Sequence, residues 1–282
     1  MKFGLIGHPI AHSLSPALFK AGYDGRYPYH LIETDDFEDA YLRFQEEYDG
    51  INVTAPFKEL ALAKADILSE ECRLIGATNL LIKTPEGIKA YNSDYLGVRL
   101  WLKHLTDEDK CLLESQSASD RNYKEKTDNT DVLIVGCGGA GKAAAFAAAS
   151  LGLHCILMNR DRNKAENLAR SLKEAGYSAE TKNLSDFLES FQKSQIVIYN
   201  IPTAIPEISE LLTGTESIGP KHVLEANYKN PSFTQNIIDC IQSKNPEIKF
   251  TGGKTWLLYQ ALTGYRLFTG ENPDLEKMSA VI

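Results

Sequence analysis

The chain has 282 residues, 43% hydrophobic and 24% charged, with a formal net charge of -8 at pH 7, which is ordinary for a globular protein of two domains that each bury a core. The acidic balance argues against a nucleic-acid partner, and no apolar run approaches the ~20 residues of a membrane span. The five cysteines are scattered without C-x-x-C spacing, which predicts reduced thiols in a cytoplasmic protein and neither a disulfide framework nor a zinc site.

Short apolar runs alternate with helical patterns through the first hundred residues. The predicted pairs are a strand over 3–7 with a helix over 15–23, a strand over 29–33 with a helix over 36–48, and a strand over 51–54 with a helix over 57–68. A hairpin is predicted over 79–94, with its turn at Pro85, Glu86 and Gly87, followed by a helix over 94–105. This order is typical of an α/β fold with a mostly parallel sheet.

Lys58 stands in an unusual position in this pattern. Pro56 ends the strand that begins at Ile51 and is suited to start a helix, so Lys58 is predicted in the first turn of a helix just beyond a strand. A cation there opposes the positive end of the helix dipole. From this segment alone, a solvated lysine and a functional lysine both remain open.

Residues 104–130 are polar and are predicted to form a linker or a surface excursion. A second alternation of strands and helices follows them. Strands are predicted over 131–136, 154–159, 195–201 and 222–228, and helices over 140–152, 162–176, 186–194, 232–242, 254–270 and 273–281.

A glycine-rich turn joins the strand at 131–136 to an alanine-rich helix. Gly136, Gly138 and Gly141 have the G-x-G-x-x-G spacing that permits a tight turn, close approach of a pyrophosphate and packing of helix on strand. The strand-turn-helix context favours a dinucleotide site, and a glycine-rich turn used only for packing is the alternative.

The end of the next strand bears on the choice of dinucleotide. Asn159 and Arg160 stand where an NAD site usually has an acid, and Arg162 and Lys164 follow closely. Arginine suits a phosphate because its planar fork donates two parallel hydrogen bonds. We therefore expect NADP, with NAD less favoured, although Asp161 lies in the same loop.

A nicotinamide enzyme that acts on a carbonyl needs a group to protonate the oxygen as hydride arrives. A lysine beside a carboxylate can do this, because the carboxylate keeps the ammonium charged and oriented. Lys58 is the candidate donor and Asp94 its candidate partner.

Seven segments, taken in order, resemble the motifs of the shikimate dehydrogenase family: GHPIAHSLSP from residue 7, NVTAPFKE from 52, GATN from 76, NSDYLG from 92, GCGGAGKAA from 136, NRDRNKA from 159 and YQA from 259. The resemblance spans nearly the whole chain. It implies NADP-dependent reduction of 3-dehydroshikimate to shikimate, in a cleft between a substrate domain (1–103 with 253–282) and a Rossmann domain (131–252). It also implies that Lys58 and Asp94 are the catalytic lysine and its aspartate partner.

The resemblance implies the remaining site residues as well. Ser13 and Ser15 would hold the substrate carboxylate, Thr54, Asn79 and Gln260 would surround the ring hydroxyls, and Tyr228 would lie near the carboxylate end. The implied cofactor contacts are Gly136, Gly138, Gly139, Ala140, Gly141, Asn159, Arg160, Lys164 and Gly253.

Structural roles remain open for several of these residues. Ser13 and Ser15 would also suit the cap of a helix that starts at Pro16, Asn79 would suit a turn, and Asp94 would suit a helix N-cap.

The chain departs from the family pattern near the nicotinamide end. Asp161 replaces the usual threonine, residues 200–208 read NIPTAIPEI, and Trp256 stands where small residues and methionine are usual. These changes leave two alternatives: a relative that prefers NAD or accepts quinate or an amino-shikimate, and a dinucleotide-binding sensor without turnover. We expect a monomer or a homodimer.

Overall fold

The computed structural model describes residues 1–106, 130–212 and 221–282, so most of the predicted polar segment at 104–130 lies outside the described residues. The chain divides into two compact units. The first comprises Met1–Trp101 and Leu257–Ile282, and the second comprises Leu102–Trp256. Each unit contains one six-stranded sheet. Within the described ranges, no helix combines the length and apolar character needed to cross a bilayer.

The sheet of the first unit combines parallel and antiparallel pairings. Its strands are β1 Phe3–Gly7, β2 Tyr29–Glu33, β3 Gly50–Val53, β4 Ile67–Leu68, β5 Leu80–Thr84 and β6 Gly87–Tyr91. They lie in the order β2-β1-β3-β5-β6-β4. β1 is parallel to β2 and β3, whereas β5 is antiparallel to β3 and forms the predicted hairpin with β6.

Helices cover this sheet because their apolar faces pack on its buried strands. They are α1 Ser15–Gly22, α2 Phe37–Glu47, α3 Lys58–Ala63, α4 Glu70–Ile75, α5 Ser93–Thr106, α11 Gly253–Thr269 and α12 Leu275–Ser279. The last residues of α5 and the first residues of α11 belong to the second unit. The helix predicted over 57–68 is too long. The helix ends at Ala63, and β4 pairs with β6 in the sheet. Asp66 fixes this pairing, because its N–H donates to the Ile88 carbonyl at 2.9 Å and its carboxylate accepts from the Ile88 N–H at 2.7 Å.

The sheet of the second unit is parallel throughout. Its strands are β7 Asp131–Val135, β8 His154–Met158, β9 Ala179–Thr181, β10 Ile196–Tyr199, β11 Lys221–Glu225 and β12 Ile248–Gly252. The helices are α6 Gly139–Ser150, α7 Arg162–Glu174, α8 Phe187–Lys193, α9 Pro206–Glu210 and α10 Gln235–Lys244. The strands lie in the order β12-β11-β10-β7-β8-β9. Successive strands are added on one side of β7 up to β9, and then on its other side from β10 onwards. Rossmann-type sheets bind dinucleotides at this switch point between β7 and β10. The predicted α/β class, with a mostly parallel sheet and a Rossmann-type sheet, is confirmed.

The sequence patterns missed three short strands, β4, β9 and β12. In β12 the residues Ile248, Lys249 and Phe250 alternate between buried, exposed and half-buried, a period of two that could have identified the strand. β4 and β9 have only two and three residues, and a neighbouring strand completes them by hydrogen bonding.

Candidate active site

Lys58 and Asp94 form an ion pair in the first unit. Lys58 is the first residue of α3, and Asp94 lies in the first turn of α5. The Lys58 ammonium donates to the Asp94 carboxylate, with the two side chains 24% and 9% exposed. The lysine is thus oriented by a largely buried counter-ion while part of it remains accessible to a ligand.

The segment before β5 holds both helix starts in place. The backbone N–H of Thr78 donates to the Lys58 carbonyl at 3.1 Å. Asn92, which is buried, accepts from the Tyr95 N–H at 3.1 Å and donates its side-chain amide to the Ala77 carbonyl at 3.1 Å. Asn92 therefore caps α5, and the alternative that Asp94 is the N-cap is wrong because α5 begins before it.

Asn79 is buried and bonds to Ser93, the residue before Asp94. Its side-chain oxygen accepts from the Ser93 N–H at 2.6 Å, and its carbonyl accepts from the Val53 N–H at 2.9 Å and the Asn52 amide at 3.3 Å. Asn79 therefore links the end of β3 to the start of α5 and is more than a turn residue.

Ser13 and Ser15 lie half-buried at the start of α1. The Ser13 hydroxyl accepts from the Ser15 N–H and donates to the Ser15 hydroxyl, both at 3.2 Å. Leu14 occupies the N-cap position and offers no side-chain acceptor. Ser13 thus satisfies one N–H of the helix start.

Thr54 and Gln260 complete the predicted set in the first unit. Thr54 follows β3, and its N–H donates to the Ile6 carbonyl at 2.9 Å. Gln260 lies half-buried on α11, where a Cβ on Gly97 would come within 2.9 Å of its Cγ. Gly97 therefore lets α5, which carries Asp94, pack closely against the helix of Gln260.

Tyr29 and Asn52 connect these residues and were missed by the sequence analysis. The Tyr29 hydroxyl donates to the Asn52 side chain at 2.8 Å, and Asn52 in turn reaches the Asn79 carbonyl. Burial raises the pKa of Tyr29 well above its usual value, so the phenol stays protonated. Asn52 is a polar residue in the otherwise apolar strand β3, and this could have identified it as a candidate site residue.

The glycine-rich loop of the second unit has the tight geometry that its spacing predicts. Gly136 has a φ of 99°, a conformation that favours glycine. A Cβ on Gly141 would lie 1.8 Å from the Gly136 carbonyl oxygen, so only glycine lets α6 begin so close to β7.

The loop leaves room for a phosphate. A Cβ on Gly138 or Gly139 would meet no atom of the described residues within 4 Å. α6 begins at Gly139 without a side-chain cap, and Ala140 follows in its first turn. Uncapped N–H groups and the positive end of a helix dipole suit a pyrophosphate, so these residues fit a dinucleotide.

Asn159 links the loop to the end of β8. Its side-chain oxygen accepts from the Cys137 N–H at 3.0 Å, and its amide donates to the Asp161 carbonyl at 2.9 Å. Asp161 is the N-cap of α7, since its carboxylate accepts from the Asn163 N–H at 3.1 Å. The departure at Asp161 therefore has a structural role.

The cations of this loop have different partners. The Arg162 side chain binds Glu166 at 2.7 Å and Asn183 at 3.2 Å. Arg160 and Lys164 are exposed, and their side chains make no hydrogen bond or ion pair with the described residues. These two cations therefore remain available to a phosphate.

The unusual segment 200–208 is well anchored. The Tyr199 hydroxyl donates to the Thr203 carbonyl at 2.8 Å and accepts from the Ile205 N–H at 3.2 Å. The Asn227 amide donates to the Pro202 carbonyl at 3.0 Å. Trp256 is buried, with 3% of its surface exposed.

Tyr228 belongs to the second unit, unlike the other predicted substrate residues. It follows β11 in a loop whose end is held by Glu225, which accepts from the N–H groups of Ser232 and Phe233. A Cβ on Gly253 would lie 2.0 Å from the Ala226 carbonyl oxygen, so Gly253 packs against this loop.

Two family models match the chain. The shikimate dehydrogenase substrate binding domain matches residues 5–81, and the shikimate / quinate 5-dehydrogenase model matches residues 118–210. A shikimate dehydrogenase (NADP(+)) from Acinetobacter baumannii is 30% identical, with 98% of each chain covered.

Solved structures of the same kind are similar over the full length. The shikimate dehydrogenase of Mycobacterium tuberculosis is 26% identical, with a TM-score of 0.77 over 99% of this chain and 97% of that one. The enzyme of Thermus thermophilus, solved with NADP(H) and shikimate, is 25% identical, with a TM-score of 0.73 over 100% of this chain and 98% of that one.

Proposed function

This chain belongs to the shikimate dehydrogenase family, and from that premise we propose that it catalyses the reversible NADP-dependent reduction of 3-dehydroshikimate to shikimate. The observation that carries the proposal is the ion pair of Lys58 and Asp94. It supplies a charged proton donor whose orientation the fold maintains.

Lys58 would move the proton of the reaction. NADPH, when bound, supplies the hydride that reduces the C3 carbonyl. The Lys58 ammonium donates a proton to the carbonyl oxygen in this direction and accepts it back from the hydroxyl in the other. Asp94 keeps the ammonium aimed at that oxygen and stabilises its charge.

The substrate would be recognised by neutral hydrogen-bonding groups. We propose that Ser13 and Ser15 donate to its carboxylate and that Thr54, Asn79 and Gln260 bind the ring hydroxyls. A hydroxyl that met no partner would leave a buried polar group unpaired, which costs affinity. Tyr228 would bind near the substrate carboxylate.

The cofactor would occupy the glycine-rich loop. Its pyrophosphate would lie over Gly138, Gly139 and Ala140 at the start of α6, with Gly136 and Gly141 shaping the turn and Gly253 packing behind the loop at 226. Arg160 and Lys164 would bind the 2′-phosphate, and Asn159 would keep their loop beside the pyrophosphate.

A second candidate keeps the fold and prefers NAD. The exposed carboxylate of Asp161, next to Arg160, is the observation that favours it, because a negative charge there opposes a 2′-phosphate. A cytoplasmic location and a monomeric or homodimeric state remain predictions from the sequence.

Absorbance of the reduced nicotinamide tests the proposal. Shikimate and quinate are each combined with NADP and NAD, and we expect rapid reduction of NADP with shikimate alone. Faster reduction of NAD would support the second candidate. Binding of NADP without turnover of either substrate would contradict the proposed function and favour a sensor.

A further inference from the structure

Tyr265 is a buried phenol on α11 that the proposed chemistry does not use. Its side chain is 3% exposed and lies within an aromatic cluster, where its ring is 4.7 Å from that of Phe19 and 6.0 Å from that of Tyr29. Burial raises the pKa of Tyr265 above its usual range, so its hydroxyl remains a hydrogen-bond donor.

This hydroxyl contacts the serine loop directly. It donates to the Ser15 carbonyl oxygen at 3.0 Å, although 250 positions separate the two residues. The Ser15 N–H is held from the other side by the Ser13 hydroxyl at 3.2 Å. Both polar groups of the Ser15 backbone are therefore engaged, and the direction of its Cβ is set by them.

Tyr265 also shares a helix with Gln260. Gln260 is seated against Gly97 of α5, and Tyr265 lies five residues further along α11. One rigid helix therefore carries a contact to the serine loop and a residue proposed to bind the ring hydroxyls.

We propose that Tyr265 is a positioning residue that fixes Ser15 for recognition of a substrate carboxylate and so selects carboxylated substrates. This rests on the proposed function. Tyr265 does not touch the substrate. It acts through the Ser15 backbone, and its loss weakens ground-state binding without slowing the proton or hydride steps.

Tyr265→Phe removes the hydroxyl and keeps the ring. We expect the KM for shikimate to rise about fivefold to tenfold while kcat and the KM for NADP stay within twofold, because uniform binding is lost and the transition-state contacts are kept. Initial rates at varied shikimate and NADP measure this.

Tyr23→Phe is the matched control. The Tyr23 ring lies 5.1 Å from Phe19 in the same cluster, and its hydroxyl donates to the Glu271 carbonyl at 3.1 Å, away from the serine loop. We expect this variant to lose stability to a similar extent without raising the KM for shikimate. An equal rise in both variants would show a general loosening of the cluster and overturn the proposal.

Shikimate methyl ester separates a carboxylate effect from other effects. The wild-type protein and Tyr265→Phe should have the same KM for the ester within twofold, because the charge that Ser15 recognises is absent. If the fivefold to tenfold difference persists with the ester, Tyr265 does not act through the carboxylate contact and the proposal is wrong.

Binding distinguishes failure of this inference from failure of the proposed function. Shikimate is titrated into each protein by calorimetry, and Tyr265→Phe should bind it about fivefold to tenfold more weakly than the wild type. If the wild type binds shikimate without turnover, the proposed function is contradicted. The ratio of the shikimate affinities of the wild type and Tyr265→Phe still shows whether Tyr265 positions Ser15. If the wild type neither binds nor turns over shikimate, both are contradicted.

Discussion

Lys58 and Asp94 form a partly buried ion pair across 36 positions of sequence, with one residue at the start of α3 and the other in the first turn of α5. A cation at a helix start opposes the dipole of its own helix. Asp94 offsets that cost with its negative charge, and the pair has the arrangement that a proton donor requires.

Substitution of either Lys58 or Asp94 should slow the proton-transfer step. We expect Lys58→Met to lower kcat about 1,000-fold and Asp94→Asn about 100-fold, since general acid catalysis contributes about 10²–10⁴. The double variant should resemble Lys58→Met, because Asp94 acts through the lysine. Initial rates of NADP reduction measure all three.

Lys64→Met is the matched control for these variants. Lys64 immediately follows α3 and pairs with Glu38 at 2.8 Å on the surface. Its kcat should stay within twofold of the wild type. If Lys58→Met retained a tenth of the wild-type kcat, Lys58 would not be the proton donor.

Two glycines of the loop should fail in different ways. Gly141→Ala places a methyl 1.8 Å from the Gly136 carbonyl oxygen and should lower the free energy of unfolding by about 2 kcal/mol or more. In the part of the chain that the structure describes, no atom lies within 4 Å of a Cβ on Gly138, so Gly138→Ala should change the free energy of unfolding by less than about 0.5 kcal/mol.

Gly138→Ala should instead weaken NADP binding about tenfold or more, because its methyl occupies space that a pyrophosphate requires. Urea unfolding and calorimetric titration of NADP separate the two effects. Unchanged NADP binding in Gly138→Ala would refute the assignment of Gly138 to the phosphate.

Arg160 should determine the preference for NADP. Arg160→Ala should raise the KM for NADP about tenfold and leave the KM for NAD within twofold, since only NADP carries the 2′-phosphate. Coenzyme kinetics at saturating shikimate provide the measurement.

Arg162→Ala provides the comparison for that variant. It removes the same charge two residues away, but Arg162 is already bound to Glu166 and Asn183. The ratio of the KM for NADP to the KM for NAD in Arg162→Ala should match that of the wild type. The assignment fails if both variants shift this ratio equally.

Lys221 should make stability depend on pH in the alkaline range. It is buried, and its ammonium donates to the carbonyls of Phe191, Gln192 and Ser194 at the end of α8. Burial lowers the pKa of Lys221 to about 8, from 10.5 in the unfolded chain. Between these values the unfolded chain binds more protons, so the contribution of Lys221 to the free energy of unfolding rises with pH.

Comparison with Lys221→Met isolates this contribution. The free energy of unfolding of the wild type, relative to the variant, should increase by about 2 kcal/mol from pH 7 to pH 10. Urea unfolding at each pH measures it. A difference that stays constant or falls over this range would contradict the lowered pKa.

Much of the site could be predicted from short stretches of sequence. The spacing of Gly136, Gly138 and Gly141 specifies a turn between a strand and a helix, and Pro56 places Lys58 at a helix start, because these signals depend on neighbouring residues. The predicted α/β class follows from the same alternation. The helix over 57–68 was too long because the pairing of Ile67 and Leu68 with β6 is not a local property.

Other features depend on residues that are distant in the sequence. β9 is too short to have its own pattern and exists because β8 offers it hydrogen bonds. Asn92 outcompetes Asp94 as the cap of α5, which only the hydrogen-bond geometry reveals. Tyr29 and Asn52 became part of the site through contacts between neighbouring strands.

Sequence alone was therefore sufficient for the α/β class, the longer strands and helices and the glycine loop, since backbone preferences and hydrophobic periodicity act over about ten residues. The role of Lys58 as proton donor stays a prediction. Tertiary packing brought the Asp94 carboxylate to Lys58, and it decided which phenol binds Ser15. Those contacts join residues 36 and 250 positions apart, and they form only when whole helices and strands pack together.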